Sequence, residues 1–510
     1  MKKHTATPYV LYLTVFITGA AVLVIEVTAT RLLSPHFGMT LFTVSSILAV
    51  ILAALSLGYW LGGKLADRYP EPVTLYTAIS IAGVTTLFIH ILNTRVLPTW
   101  SAQLDLISGP LVTSLILFFI PTIFLGMVSP IAIRLSTSKL KEVGEVAGKV
   151  FFFSTVGSIA GSLLAGFVLI PRFPISRIIL GTSLVLIVLG LFGVRKKMKA
   201  KNWLTLFIAT IALQVLALKL QPPTRNEVIH EEDSMYQHIR VVKQEFAEGE
   251  GLILMLDKSY SGASYLQSDE LPFPYTRYYK LYELVNKNAK RFLYLGGGAY
   301  TTPKKLLSER KDAIEVEVVE IDPKLPEIAR KFFGLRDDPR QTLIIADART
   351  YLKKSQKRYD MIFIDVFSMD IGIPSHLMTQ EFFQLVKNHL TDKGTVIMNV
   401  AANIDNSTPS LGLSAIKTFR EVFPQSEFIA LRPSDLPSIQ NIMFWGINDA
   451  SWKFDDQDPR IANAESKEIR SVANNRIDLS QFDTTNYKLL TDDYAPIEYL
   501  VAKMIRDASQ

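Results

Sequence analysis

Between positions 296 and 365 four consecutive apolar runs each end in glycine or a carboxylate. These ends are Gly296, Gly297 and Gly298; Glu320 and Asp322; Asp347, followed by Ala348; and Asp365. The residue types point to a nucleoside-like ligand. Glycines allow the backbone to approach a bound molecule, and a helix starting just after them offers unpaired N–H groups. A carboxylate at the second end is placed to accept from both hydroxyls of a ribose. Glycine turns often do no more than join strand to helix, and Asp322 and Asp347 each have the simpler reading of a helix N-cap. The succession of four such ends is what carries the inference. The loop Gly-Gly-Gly-Ala-Tyr-Thr lacks the Gly-x-Gly-x-x-Gly spacing that seats a pyrophosphate, so a dinucleotide fits less well.

The elements that must position these residues alternate regularly. Apolar strands are expected at 292–295, 314–320, 342–346, 361–365 and 395–400, with amphipathic helices at 302–309, 324–333, 348–354, 379–390 and 411–422. This pattern predicts a doubly wound parallel sheet, Rossmann-like and of the class-I methyltransferase type, with ligands at the carboxyl ends of its strands. Ribose-binding Glu320 and adenine-facing Asp347 suit such a sheet. Two β-like runs at 238–244 and 252–256 precede it and read as a small antiparallel subdomain.

The first 220 residues differ in kind. They hold 18 Lys and Arg against 6 Asp and Glu, whereas the remainder holds 36 against 42. The mildly acidic C-terminal part argues against nucleic acid as a partner and suits a domain that handles cations. Seven apolar stretches, about 9–29, 41–63, 74–94, 109–133, 146–170, 175–194 and 203–220, are mostly long enough to span a bilayer. The organisation expected is a multi-span all-α bundle over 1–220, a small β subdomain over 221–285, and the nucleoside-binding α/β domain over 286–510. Alternate short loops hold 13 Lys and Arg, among them Lys64, Arg68, Arg134 and Arg195, and the opposite loops hold four, Arg31, Arg95, Arg172 and Arg177. The positive-inside rule then places the N-terminus in the cytoplasm of a multi-pass inner-membrane protein and makes the bilayer a partner. The side on which the C-terminal domain lies is left open, because the last stretch, interrupted by Gln214, could span, re-enter or lie at the interface. Gly157, Gly161 and Gly166 suggest close helix packing. Pro121 and Pro130 should bend the fourth span. Glu26 is the one acidic residue deep in a span, with Arg31 five residues on. No cysteine occurs, which removes disulfides, thiolate metal sites and cysteine nucleophiles.

With these residues in hand, the C-terminal half resembles the spermidine synthase family of polyamine aminopropyltransferases, and more narrowly its membrane-fused branch. The segments that carry the likeness are Ser234-Met235-Tyr236-Gln237-His238-Ile239, Gln267 through Tyr275, Leu295-Gly-Gly-Gly298, Val319-Glu-Ile-Asp322, Ala346-Asp-Ala348 and Tyr359-Asp-Met-Ile-Phe-Ile-Asp365. Leu490-Thr-Asp-Asp-Tyr-Ala-Pro496 resembles a C-terminal signature of the branch. The resemblance implies transfer of an aminopropyl group from decarboxylated S-adenosylmethionine, as co-substrate, to a small polyamine such as putrescine, with release of methylthioadenosine. It implies no tightly bound cofactor and no metal, and a homo-oligomer is expected. It assigns Gln237, Gly296, Gly297, Gly298, Glu320, Asp322, Asp347 and Ala348 to the nucleoside, Gln267 and Tyr275 to the polyamine, and Asp365, Asp370 and Tyr275 to catalysis. Departures from the family pattern fall in the polyamine half. Ala299 stands where the family carries Asp, Arg277 follows Tyr275-Thr276, and the second Asp of the gate is displaced to Asp370. Another S-adenosylmethionine-type transferase, such as a methyltransferase, and a non-catalytic polyamine or nucleoside sensor or transporter are the alternatives.

Overall fold

The computed structural model describes residues 8–137, 142–220, 227–367 and 372–508. The chain divides into two compact units, Met1–Arg225 and Asn226–Gln510.

The first unit is all helix: α1 (Pro8–Phe37), α2 (Leu41–Arg68), α3 (Pro72–Arg95), the short α4 (Leu97–Trp100), α5 (Gly109–Gly126), α6 (Val128–Ser136), α7 (Val143–Leu164), α8 (Ile175–Val194) and α9 (Ala200–Leu218). With α5 and α6 taken together, seven helical segments among the described residues are long and apolar enough to cross a membrane. The fourth is broken at Met127 and not at Pro121, which stays within α5. Pro130 has no N–H to offer the Gly126 carbonyl one turn back, and the helix is interrupted there.

The glycine reading of the fifth apolar segment is correct for two of three positions. A Cβ on Gly157 would press into the Phe16 carbonyl oxygen of α1, and one on Gly161 into that of Ala20, so backbone meets backbone along this pair. Gly166 faces open space, and buried Ala165 continues the seam in its place. Gly157→Ala should therefore destabilise the bundle by about 1–3 kcal/mol, as overpacking does, whereas Gly166→Ala should change it little. Thermal unfolding of the two variants in detergent checks this, and equal melting points would contradict it.

In the last span Gln214 is buried and is no interruption. Its amide donates to Ser183 Oγ at 2.8 Å, and that hydroxyl donates to the Gly83 carbonyl at 2.8 Å. His90 Nε2 lies 3.0 Å from the Ala217 carbonyl oxygen. A polar side chain in an apolar helix is tolerated when a neighbouring helix satisfies it, and α9 is clamped to α3 and α8 in this way. Among the loops, Arg134 pairs with Asp67, and Lys197 with Glu71, so three of the basic loops meet.

The second unit opens with an antiparallel sheet of four strands in order, β1 (Val228–Asp233), β2 (His238–Phe246), β3 (Gly249–Leu256) and β4 (Ser259–Tyr265). The outer two escaped the sequence reading because they are polar or built of small residues. After α10 (Tyr282–Val285) come β5 (Arg291–Leu295), α11 (Thr301–Glu309), β6 (Glu315–Glu320), α12 (Leu325–Phe332), β7 (Gln341–Ile345), α13 (Ala348–Lys354), β8 (Tyr359–Ile364), α14 (Gln380–Asn388), β9 (Leu390–Ala402), α15 (Leu411–Val422), β10 (Ser426–Ala430) and β11 (Gln440–Ile447). The large sheet has the order β10-β11-β9-β8-β5-β6-β7. Its strands β5 to β9 pair in parallel as expected, and β10 and β11 add two antiparallel strands. The connection between these two is too short for a crossover and permits only a hairpin. Both faces of the sheet are covered, which explains the unbroken apolar runs. Leu293, Leu295, Ile362 and Ile364 pack with Phe382, Phe383 and Phe419 on one side. Phe292, Tyr294, Met361 and Phe363 pack with Leu306, Ile328 and the small sheet's Ile239 and Val241 on the other. Strand order reverses between β5 and β8, and open α/β sheets bind ligands at such a point.

Candidate functional site

The glycine loop leaves β5 with Gly296 at φ 95° and Gly298 at φ 50°, left-handed conformations that glycine adopts without strain. The loop is tied to β6 by Glu320, which is buried. Its Oε2 accepts from the Gly297 N–H at 2.8 Å and the Gly298 N–H at 3.3 Å, and its Oε1 accepts from the Asp322 N–H at 3.0 Å. Burial raises its pKa against these three donors. Asp322 is fully buried. It accepts from the Lys324 N–H at 3.0 Å and from Gln237 Nε2 at 3.2 Å, so Gln237 is brought from the small sheet to the end of β6. Gln237 sits in a turn whose N–H groups at 236 and 237 bond to Ser234 Oγ. The turn is followed by His238, held between Asp233 and Glu231 at 2.6 and 2.7 Å. Burial opposes charge on that imidazole, but the two carboxylates outweigh it and push its pKa up to about 9.

Asp347 caps α13 through Oδ1, which accepts from the Thr350 N–H at 2.7 Å, and Ala348 is buried behind it. The simple capping reading therefore holds for this oxygen. The other oxygen, Oδ2, lies 3.4 Å from His376 Nε2. Burial of the Asp347 carboxyl is outweighed by these bonds, and its pKa is lowered.

Asp365 follows β8 and is the centre of a polar chain. Tyr275, on the 3₁₀ segment Pro274–Leu281, donates its hydroxyl to Oδ2 at 3.2 Å. Asn399 of β9 donates to Oδ1 at 3.0 Å, and Asn441 of β11 donates in turn to the Asn399 carbonyl oxygen at 2.9 Å. Desolvation pushes the Asp365 carboxyl up to about 6, in spite of its two donors. Burial and the neighbouring carboxylate hold the Tyr275 phenol well above its usual range. A carboxylate in this condition is suited to accept a proton near neutral pH. Asn399 and Asn441 were not anticipated. A polar residue within the run TVIMNV was the available signal, since an amide in a strand buried on both faces requires a partner.

Gln267 is exposed in the segment after β4 and makes no hydrogen bond to the Tyr275–Asp365 pair. Asp370 lies outside the described residues. Arg277 does not add an unbalanced charge. Its guanidinium donates to Glu468 at 3.0 Å and to the Leu271 carbonyl at 2.8 Å. Ala299 is buried against Gly262 of β4, which has no side chain to hold it off. Among the described residues no cluster of His, Asp or Glu is arranged to hold a metal.

Residues 280–452 match the spermine/spermidine synthase domain. They contain the glycine loop, Glu320, Asp347, Asp365 and Asn399. The C-terminal unit therefore carries a spermine/spermidine synthase domain. Similar proteins that carry polyamine aminopropyltransferase names include one from Vibrio vulnificus, 29% identical over 39% of this chain and 66% of that one. Polyamine aminopropyltransferase 1 of Streptomyces coelicolor is 25% identical over 86% of this chain and 83% of its own length, so that likeness reaches into the helical unit. Among solved structures, spermidine synthase from Thermotoga maritima overlaps 48% of this chain and 80% of its own, with 23% identity and a TM-score of 0.37.

Proposed function

We propose that the chain is a membrane-bound aminopropyltransferase that uses decarboxylated S-adenosylmethionine and a small diamine such as putrescine. The single observation behind this reading is the recessed Asp365, bonded by Tyr275 and Asn399, at the switch point of a sheet whose neighbouring ends carry the glycine loop and Glu320. In the proposed step the amine lone pair attacks the aminopropyl carbon attached to sulfur. The C–S bond breaks, its electron pair stays on sulfur, and neutral methylthioadenosine leaves. The proton lost by the attacking nitrogen passes to Asp365. Glu320 takes the ribose hydroxyls, and the loop Gly296–Gly298 admits the nucleoside close to the backbone. Gln237, steered by Asp322, and Asp347 with Ala348 bound the nucleoside, and Tyr275 faces the amine. Roles for Gln267 and Asp370 in holding the polyamine belong to the same proposal, as does a homo-oligomeric assembly. Most of the rate should come from orientation of donor and acceptor and from removal of the amine proton.

The test is turnover by the full chain in detergent, with methylthioadenosine and spermidine measured together. Formation of both in equal amounts supports the proposal. Consumption of S-adenosylmethionine, with methyl transfer and no use of the decarboxylated donor, would replace it.

The same proposal places the N-terminus in the cytoplasm and takes α9 as a full span, supported by the buried Gln214 and the His90–Ala217 contact. Position 219 then emerges on the face opposite the basic loops. In this cysteine-free chain, a single cysteine at Lys219 should react with an impermeant thiol reagent from outside intact cells, while one at Lys64 should not. Labelling of both, or the reverse pattern, would overturn the assignment.

A further inference from the structure

The run Leu490-Thr-Asp-Asp-Tyr-Ala-Pro496 has no part in the chemistry proposed above, yet it is heavily bonded. Its Leu490 N–H donates to Thr418 Oγ1 at 3.0 Å, and its Leu490 carbonyl accepts from the Gln380 N–H at 2.8 Å. The Asp492 N–H donates to Glu381 Oε2 at 3.0 Å. The run thus straps together the starts of α14 and the body of α15. The Asp492 side chain does something different. It takes Arg349 in a two-pronged pair, Nη1 to Oδ1 at 2.7 Å and Nη2 to Oδ2 at 2.5 Å, and Oδ1 also accepts from Thr379 Oγ1 at 2.8 Å. Arg349 is the second residue of α13, two beyond Asp347, and its side chain is only 12% exposed. The same Nη1 donates to the His376 carbonyl at 3.0 Å, and the His376 ring faces Asp347 Oδ2.

A nearly buried guanidinium needs its carboxylate: without it the charge is unpaired and the fork loses its fixed plane. The fork orients the His376 backbone, and that backbone sets the ring which meets the one Asp347 oxygen not committed to capping α13. We propose that Asp492 is a positioning residue for nucleoside binding, acting through Arg349 and His376 on Asp347. The inference rests on the reading of Asp347 as part of the nucleoside site.

The experiment is steady-state kinetics of the full chain carrying Asp492→Asn, Arg349→Lys or both. Lysine keeps the charge and loses the fork. Each single variant is expected to raise KM for decarboxylated S-adenosylmethionine about tenfold, with kcat and the KM for putrescine changed less than about twofold. The double variant should be no worse than the poorer single one, because both break one linkage. A role in holding the fold alone would lower the melting point and the active fraction, and therefore kcat, with KM unmoved. An unchanged donor KM in Arg349→Lys, or singles whose effects multiply in the double, would overturn the proposal even where Asp492→Asn folds poorly. Failure of the unsubstituted chain to use the decarboxylated donor would instead defeat the reading of the site itself.

Discussion

Asp365→Asn should reduce aminopropyl transfer by about 10²–10⁴-fold, the range lost with a general base, while methylthioadenosine binds within about twofold of normal. The substitution keeps size and shape. The amide oxygen can still accept from Asn399 or Tyr275, so the polar chain from Tyr275 to Asn441 is perturbed at one bond and not dismantled. What disappears is the capacity to take a proton from the amine. The pH profile gives a second reading. With the Asp365 carboxyl raised to about 6 by burial, the working form is the deprotonated one. The rate should therefore rise as pH increases through about 6 and level off above it. That limb should be missing from the residual activity of the Asn variant. Turnover undiminished in Asp365→Asn, or an acid limb that survives it, would place the base elsewhere.

Glu320→Ala has the other large expected effect. Methylthioadenosine affinity should fall by about 10²-fold, corresponding to about 2–3 kcal/mol for lost charge-assisted bonds to the ribose. Glu320 also holds the Gly297, Gly298 and Asp322 N–H groups, so some of the loss could arise from a loosened loop. A 2′-deoxy analogue of methylthioadenosine separates the two causes. The unsubstituted protein should discriminate against the deoxy ligand, and Glu320→Ala should bind both forms equally. Calorimetry with the four combinations measures this coupling. Discrimination that persists in the variant would refute the ribose assignment and leave Glu320 as a clamp of the glycine loop.

Much of the architecture was legible because it is written in short-range periodicity. Five parallel strands, their helices and seven apolar spans each announce themselves within a window of their own residues, by alternation or by an unbroken apolar run. The strands that went unseen, β1, β4, β10 and β11, are polar, built of small residues, or stand outside the βα alternation. The candidate site divides in the same way. Gly296 to Gly298, Glu320, Asp347 and Asp365 are legible because strand ends are predictable and each carries its own chemical type. Their partners are not, since a hydrogen bond between residues far apart in the chain leaves no local trace.

Gln214 and Arg277 show how this works in detail. Read alone, Gln214 weakens a span; in the bundle Ser183, 31 positions away, satisfies it. Read alone, Arg277 brings an unwelcome charge to a cation site; in the fold Glu468, 191 positions away, takes it up. The two-part plan, the sheet and the acids at its strand ends are readable from the chain alone, because periodicity and strand-end chemistry are local. The grip of Tyr275 and Asn399 on Asp365, the neutralised Arg277 and the reach of Asp492 back 143 positions to Arg349 emerge only once the chain is folded. Those arrangements depend on burial and on the meeting of distant segments, and there the cost of leaving a polar group unpaired selects the partner.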